Sequence, residues 1–160
     1  MERLTGNVNH VSLYELNVAE AKNVKMTLSE VYEFIVDNYR ENIGKALKVI
    51  AEAPEGAVLY HCFLGKDRTG ILTLMLLTIA GVDEDDIVAD YQLTYTYLEN
   101  YIHTHADSLW DTNAEMHYSL PQTMRILIAY IKDKYGSVQD YISSTGIDDE
   151  SIEKIRKRFY

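Results

Sequence analysis

A chain of 160 residues with 47% hydrophobic residues is long enough for one domain with a core of its own. A formal net charge of −10 argues against nucleic acid or an anionic membrane as a partner, because the overall field repels both. A single cysteine, an N-terminus without a signal-peptide core and no apolar stretch long enough for a bilayer all suit a cytoplasmic protein with no membrane insertion.

Along the chain, Val8 to Leu13 reads as a short strand. Thr27-Leu28-Ser29-Glu30 is a capping box, and Val31, Phe34, Ile35, Tyr39, Ile43, Ala46, Leu47 and Ile50 keep helical spacing after it. That predicts one long helix, or two with a break near Asn38 or Gly44, ended by Pro54 and Gly56. Ala57 to His61 is a short continuous apolar run, suited to a buried parallel strand. Thr69 to Ala80 is apolar nearly all round and predicts a central helix closed by Gly81. Asp83-Glu84-Asp85-Asp86 suits the positive end of a further helix, running to about Tyr101, with Tyr91, Tyr95 and Tyr101 packing beside Leu98.

His103 to Tyr118 has no period and reads as loop or short turns; with Trp110, His103 and His105 it could fold as a lid. Ser119-Leu120-Pro121-Gln122 looks like a second capping box, followed by a helix with Met124, Leu127, Ile128, Ile131 and Tyr135 inside. Gly136 and Gly146 read as C-caps, and Asp148 opens a last helix with Ile152, Ile155 and Phe159 facing inward. Its basic run, Lys154, Arg156, Lys157 and Arg158, reads as a solvated face that complements the negative end of the helix. The expected fold class is α/β: a single, predominantly helical domain over residues 1–160 around a parallel sheet of few strands.

The chemistry concentrates in His61-Cys62-Phe63-Leu64-Gly65-Lys66-Asp67-Arg68-Thr69-Gly70, between the predicted strand and the predicted central helix. A loop wrapped at a helix N-terminus turns several backbone N–H groups inward and adds the positive end of the dipole, which makes a cradle for a tetrahedral dianion. Arg68 can hold two of its oxygens with a bidentate fork. Cys62 lies in the same positive field, which lowers a thiol's pKa and produces the nucleophilic thiolate. Gly65 and Gly70 permit the tight path. Cys62, Arg68, Asp67 and Thr69 are the candidate catalytic residues. Phe63, Leu64, Gly65, Lys66, Asp67 and Arg68 are the candidate substrate-binding segment, and His61 a supporting residue. No cofactor and no metal site is expected, since no cluster of ligating side chains has suitable spacing.

This loop resembles that of the cysteine-based protein tyrosine phosphatase superfamily, and more narrowly the bacterial and fungal tyrosine/dual-specificity phosphatases that carry His-Cys-x-x-Gly-Lys-Asp-Arg-Thr-Gly. The similarity extends to Gly81-Val82, Ile87, Asp90-Tyr91 and Tyr97-Leu98, and to Met124 through Tyr135-Gly136-Ser137-Val138 and Tyr141-Ile142. The resemblance implies hydrolysis of phosphotyrosine, with phosphoserine, phosphothreonine or phosphoinositides as further substrates, through a phosphocysteine on Cys62. It implies that Arg68 clamps the phosphate, that Thr69 assists the departing sulfur and that His61 braces the cysteine. Asp67 is the general acid the resemblance suggests. The competing reading is a scaffold paired with Arg68 or Lys66, because a carboxylate among cations favours its base form. Upstream of Cys62 the single aspartate, Asp37, falls inside a predicted helix, and Asp107 and Asp111 in the irregular stretch are outside candidates. Lys66 at the loop rim would reach a second phosphate, or stay solvated.

The block of strands that such phosphatases carry before the first helix has no counterpart here. That leads to the expectation of a fragment, of a second chain completing the sheet, or of a homodimer that shares strands. It also leaves an alternative function open: a truncated, inactive relative that binds a phosphorylated ligand without turnover.

Overall fold

The computed structural model describes residues 7–14, 26–105 and 114–160. Among the described residues there are seven α-helices, α1 (Leu28–Asn38), α2 (Arg40–Glu52), α3 (Asp67–Ile79), α4 (Glu84–His105), α5 (Pro121–Tyr135), α6 (Val138–Ser144) and α7 (Asp149–Arg156), with a 3₁₀ turn at Ala114–His117. None of the described helices is long and apolar enough to cross a membrane.

The expected α/β class with a parallel sheet is corrected by the structure: the described residues contain no strand and the fold is helical. An extended apolar run becomes a strand only when a neighbour accepts and donates its backbone hydrogen bonds. Ala57 to His61 has no such neighbour and makes no backbone–backbone hydrogen bond with any described residue. Its alternation survives, with Val58 and Tyr60 packed on the core and Leu59 80% exposed. Val8 to Leu13 is not a strand either: Val8 is 92% exposed, while Leu13 is buried and the Asn42 side chain donates to the Ser12 carbonyl.

The helices begin and end for local reasons. At α1 the Glu30 N–H donates to Thr27 Oγ1 and the Glu30 carboxylate accepts from the Thr27 N–H at 2.7 Å, completing the capping box. The break before α2 falls at Tyr39, whose φ of −116° and ψ of 24° leave the helical range. Ala53 is extended, as a residue before proline is driven to be, and α2 ends there. Gly81, at φ +79°, turns the chain out of α3 in a conformation open to glycine. The second capping box does not form. Ser119 Oγ instead accepts from the Tyr95 N–H at 2.8 Å and donates to the Gln92 carbonyl at 3.0 Å, so it is stitched into α4. Leu120 is the N-cap of α5 without a side-chain bond.

α3 is the centre. Ile71, Leu72, Leu74, Met75, Leu76 and Ile79 are all buried, and α2, α4, α6 and α7 pack around it. A helix apolar on every side has no stable place except the middle of the fold. α6 is short and sits against α3 and α5. Its Tyr141 is fully buried and donates to the Val36 carbonyl at 2.8 Å, which satisfies an orphan acceptor at the end of α1. Phe159 is 46% exposed and does not face inward, unlike Ile155. The basic run has uses beyond a solvated face: Arg156 donates to the Ile79 carbonyl, Arg158 to the carbonyls of Ala53, Pro54 and Gly56, and Tyr160 to that of Ala80. These donors cap the C-terminal ends of α2 and α3.

Two stability predictions follow from this packing. Gly44, inside α2, would place a Cβ 2.4 Å from the backbone carbonyl oxygen of Thr145. Alanine in a helix interior ordinarily gains about 1 kcal/mol over glycine. Here a backbone atom blocks the space, so Gly44→Ala should destabilise by about 1–3 kcal/mol in urea unfolding; a stabilised variant would refute the close contact. Asp37 accepts from Tyr130 and Tyr135 hydroxyls and from the Lys134 ammonium, joining α1 to α5. Burial raises its carboxyl, but the three donors outweigh it and the net direction is down. A carboxyl lowered by folding stabilises above its unfolded value, about pH 3.9, and loses that contribution as pH falls through the folded one. The stability gap between wild type and Asp37→Asn should therefore be full at pH 7 and shrink below about pH 4; a gap independent of pH would contradict the clasp.

Candidate active site

Cys62 ends the extended segment, residues 63–66 bend, and α3 begins at Asp67. Two side-chain bonds fix this geometry without a sheet. Tyr60 OH pairs with Thr73 Oγ1 at 2.9 Å, and the Cys62 N–H donates to Thr69 Oγ1 at 2.9 Å. Both tie the segment to the first turns of α3. Gly65, at φ +72°, supplies the left-handed step of the bend, which costs a residue with a Cβ roughly 1–2 kcal/mol.

Cys62 is half-buried. Burial pushes its thiol up, but four attractions prevail and hold it below its ordinary value: the Thr69 hydroxyl, the N–H groups of Thr69 and Gly65, and the Arg68 charge. These donors converge on the sulfur at the N-terminus of α3, where the dipole also favours an anion. Arg68 lies in the first turn of α3, and its guanidinium makes no hydrogen bond or ion pair with a described residue. Its fork is therefore uncommitted among the described residues. The exposed His61 ring donates from Nδ1 to the Cys62 carbonyl at 2.8 Å, bracing the cysteine's own peptide. Phe63 is 71% exposed, and Leu64 is partly buried beside it.

Lys66 is placed unlike a rim residue. It is 1% exposed, and its ammonium donates to Asp67 Oδ1 at 2.6 Å and to the Tyr118 carbonyl at 3.5 Å. Asp67 pairs with Lys66, and the same Oδ1 also accepts from Tyr32 OH on α1 at 2.7 Å. Because Tyr32 spends its proton there, its oxygen accepts from Tyr91 OH on α4 at 2.8 Å. Asp37 serves the α1–α5 contact, whereas Asp107, Asp111 and Trp110 lie outside the described residues. His103 and His105 are in the last turns of α4. Sequence reasoning passed over Tyr32 and treated Tyr91 as packing. The available signal was that Tyr32 falls on the buried stripe of α1 with Leu28, Ile35 and Val36, and a buried phenol requires a hydrogen-bond partner.

A half-buried thiol drawn toward its thiolate, converging N–H groups and an uncommitted arginine at a helix N-terminus define a nucleophilic anion site. A model of the tyrosine phosphatase family matches residues 5–160. A tyrosine-protein phosphatase of Nostoc commune is 30% identical over 145 residues, which cover 82% of this chain and 49% of that protein. The triple specificity protein phosphatase PtpB of Mycobacterium tuberculosis is 59% identical over 34 residues, covering 21% of this chain and 12% of that protein. The chain belongs to the tyrosine phosphatase family. It spans about half the length of the Nostoc commune relative.

The site carries a direct test. Alkylation of Cys62 by iodoacetamide should reach half its limiting rate below about pH 8.5, the ordinary thiol value. Thr69→Val, which removes the hydroxyl at the sulfur, should move that midpoint upward. A wild-type midpoint at or above the ordinary value would contradict the site's electrostatics.

Proposed function

We propose that the chain is a cysteine-dependent phosphotyrosine hydrolase whose residues 1–160 act as one catalytic domain. The observation that carries this reading is the convergence of donors on Cys62, which favours its thiolate, beside the uncommitted Arg68. In the first step the Cys62 thiolate attacks phosphorus. The bond from phosphorus to the tyrosyl oxygen breaks, and Asp67 gives that oxygen a proton. In the second step water attacks the phosphocysteine, Asp67 takes up a proton from the water, and the sulfur leaves as a thiolate that receives the Thr69 hydroxyl. The N–H groups of the loop and the Arg68 fork hold the equatorial oxygens in both steps. His61 keeps the Cys62 peptide oriented.

For the substrate, the burial of Lys66 and its bond to Asp67 favour a single phosphate ester over a phosphoinositide, because the ammonium is already engaged within the protein. A phosphotyrosine side chain on a protein or peptide fits that requirement.

Hydrolysis of p-nitrophenyl phosphate tests the reading. Wild type should turn over, Cys62→Ser should be inactive, and Asp67→Asn should lose about 10²-fold or more on phenyl phosphate, whose leaving group needs a proton. Pure wild-type protein that binds vanadate yet hydrolyses neither ester would overturn the enzyme and leave a phospho-ligand-binding module.

A further inference from the structure

We infer that Tyr32 and Tyr91 are positioning residues for the proton transfer: with Lys66 they lock Asp67 Oδ1 as an acceptor and leave Oδ2 to exchange the proton with the leaving group. The inference rests on the phosphatase reading above and deepens it.

Its basis is an asymmetry. Both donors to Asp67, the Lys66 ammonium and the Tyr32 hydroxyl, converge on Oδ1 at 2.6 and 2.7 Å. No protein donor among the described residues reaches Oδ2, although the side chain is 35% exposed. A carboxylate serving only as a counter-ion for Lys66 would need neither tyrosine. Here the donors come from separate elements. Tyr32 belongs to α1, Tyr91 to α4 and Lys66 to the loop, and the two tyrosine rings meet edge to face at 6.2 Å. Lys66 is steadied in turn by the Tyr118 carbonyl, whose neighbour Ser119 is stitched into α4. Burial, then the charge of Asp67, hold the Tyr32 phenol far above its ordinary value, so it remains a donor throughout the working pH range. An oxygen with two fixed donors has little capacity left to bind a proton. The proton therefore goes to Oδ2, and the carboxyl plane is set by two helices rather than by the mobile χ angles of one side chain. Misplacing a reacting group by about 1 Å can cost as much as 10²-fold in rate, so a rigid orientation of this kind has a kinetic value.

The test uses the full chain and two esters: phenyl phosphate, whose leaving group must be protonated, and 2,4-dinitrophenyl phosphate, whose leaving group departs as an anion. Tyr32→Phe keeps the ring and removes the donor. It should lower kcat about tenfold on phenyl phosphate and less than about twofold on 2,4-dinitrophenyl phosphate, with KM unchanged for both. Placed on Asp67→Asn, the same substitution should cost nothing further on phenyl phosphate. Tyr91→Phe, which reaches Asp67 only through Tyr32, should show the same substrate dependence with a smaller loss, and it serves if Tyr32→Phe does not fold. Equal losses on both esters, equal losses in both backgrounds, or no loss would overturn the positioning role. If Asp67→Asn is impaired on phenyl phosphate alone while both tyrosine variants match wild type, this inference fails and the phosphatase reading stands. If wild type hydrolyses neither ester, or Asp67→Asn matches it on phenyl phosphate, the acid assignment fails and this inference with it.

Discussion

A lysine ammonium with almost no exposure has to be paired, because an isolated buried charge costs several kcal/mol. Lys66 imposes that condition at the start of α3, and the surrounding chain meets it. Its neighbour Asp67 takes the charge, Tyr32 takes the carboxylate, Tyr91 takes Tyr32, and the Tyr118 carbonyl accepts from the ammonium on its other side. Three parts of the chain, distant in sequence, meet at one oxygen or at the cation beside it, and a fourth, at Tyr91, joins them through Tyr32. The position of α1 and α4 against the loop is thus coupled to the Lys66–Asp67 ion pair, a few residues from Cys62.

The loop is also held from the other direction. In a phosphatase with a sheet, a strand would present the cysteine; in the described residues that task falls to α3. The helix is fixed by apolar contacts on every side, and the extended segment is tied to it through Thr69 and Thr73. At its far end, carbonyls that would otherwise lack donors are met by Arg156 and Tyr160. Helix packing, side-chain stitching and terminal capping together substitute for the backbone ladder.

Much of this was legible in the sequence, and the misses have physical causes. Helix starts and stops read well where one local rule decides them, as at the Thr27 capping box, Gly81 and Asp148. The break at Tyr39 fell beside a predicted position, and the ten-residue loop pointed to the thiol and the arginine that the structure places together at the start of α3. Ala57 to His61 misled because alternation reports which side chains point inward but not whether a neighbour exists to pair with. Ser119 misled because its hydroxyl found α4, an element distant in sequence, in place of the helix it precedes. Lys66 was judged by residue type, and lysine is ordinarily exposed; only the convergence of Asp67 and Tyr118 makes its burial tolerable. The tyrosines were legible as core positions but not as donors, since a periodicity carries no information about what a hydroxyl will meet.

Gly70 shows how far that coupling extends. Read from the loop alone, its lack of a side chain serves the backbone's close approach to a phosphate. In the folded chain, a Cβ there would sit 3.0 Å from the Tyr91 ring. The glycine makes room at its back for the ring that donates to Tyr32. Position 70 and position 91 are therefore one steric unit: enlarging the first demands shrinking or moving the second. In a lineage that replaced this glycine, the compensating change would fall on α4, twenty-one residues away, and would loosen the Tyr91–Tyr32 link that ends on Asp67.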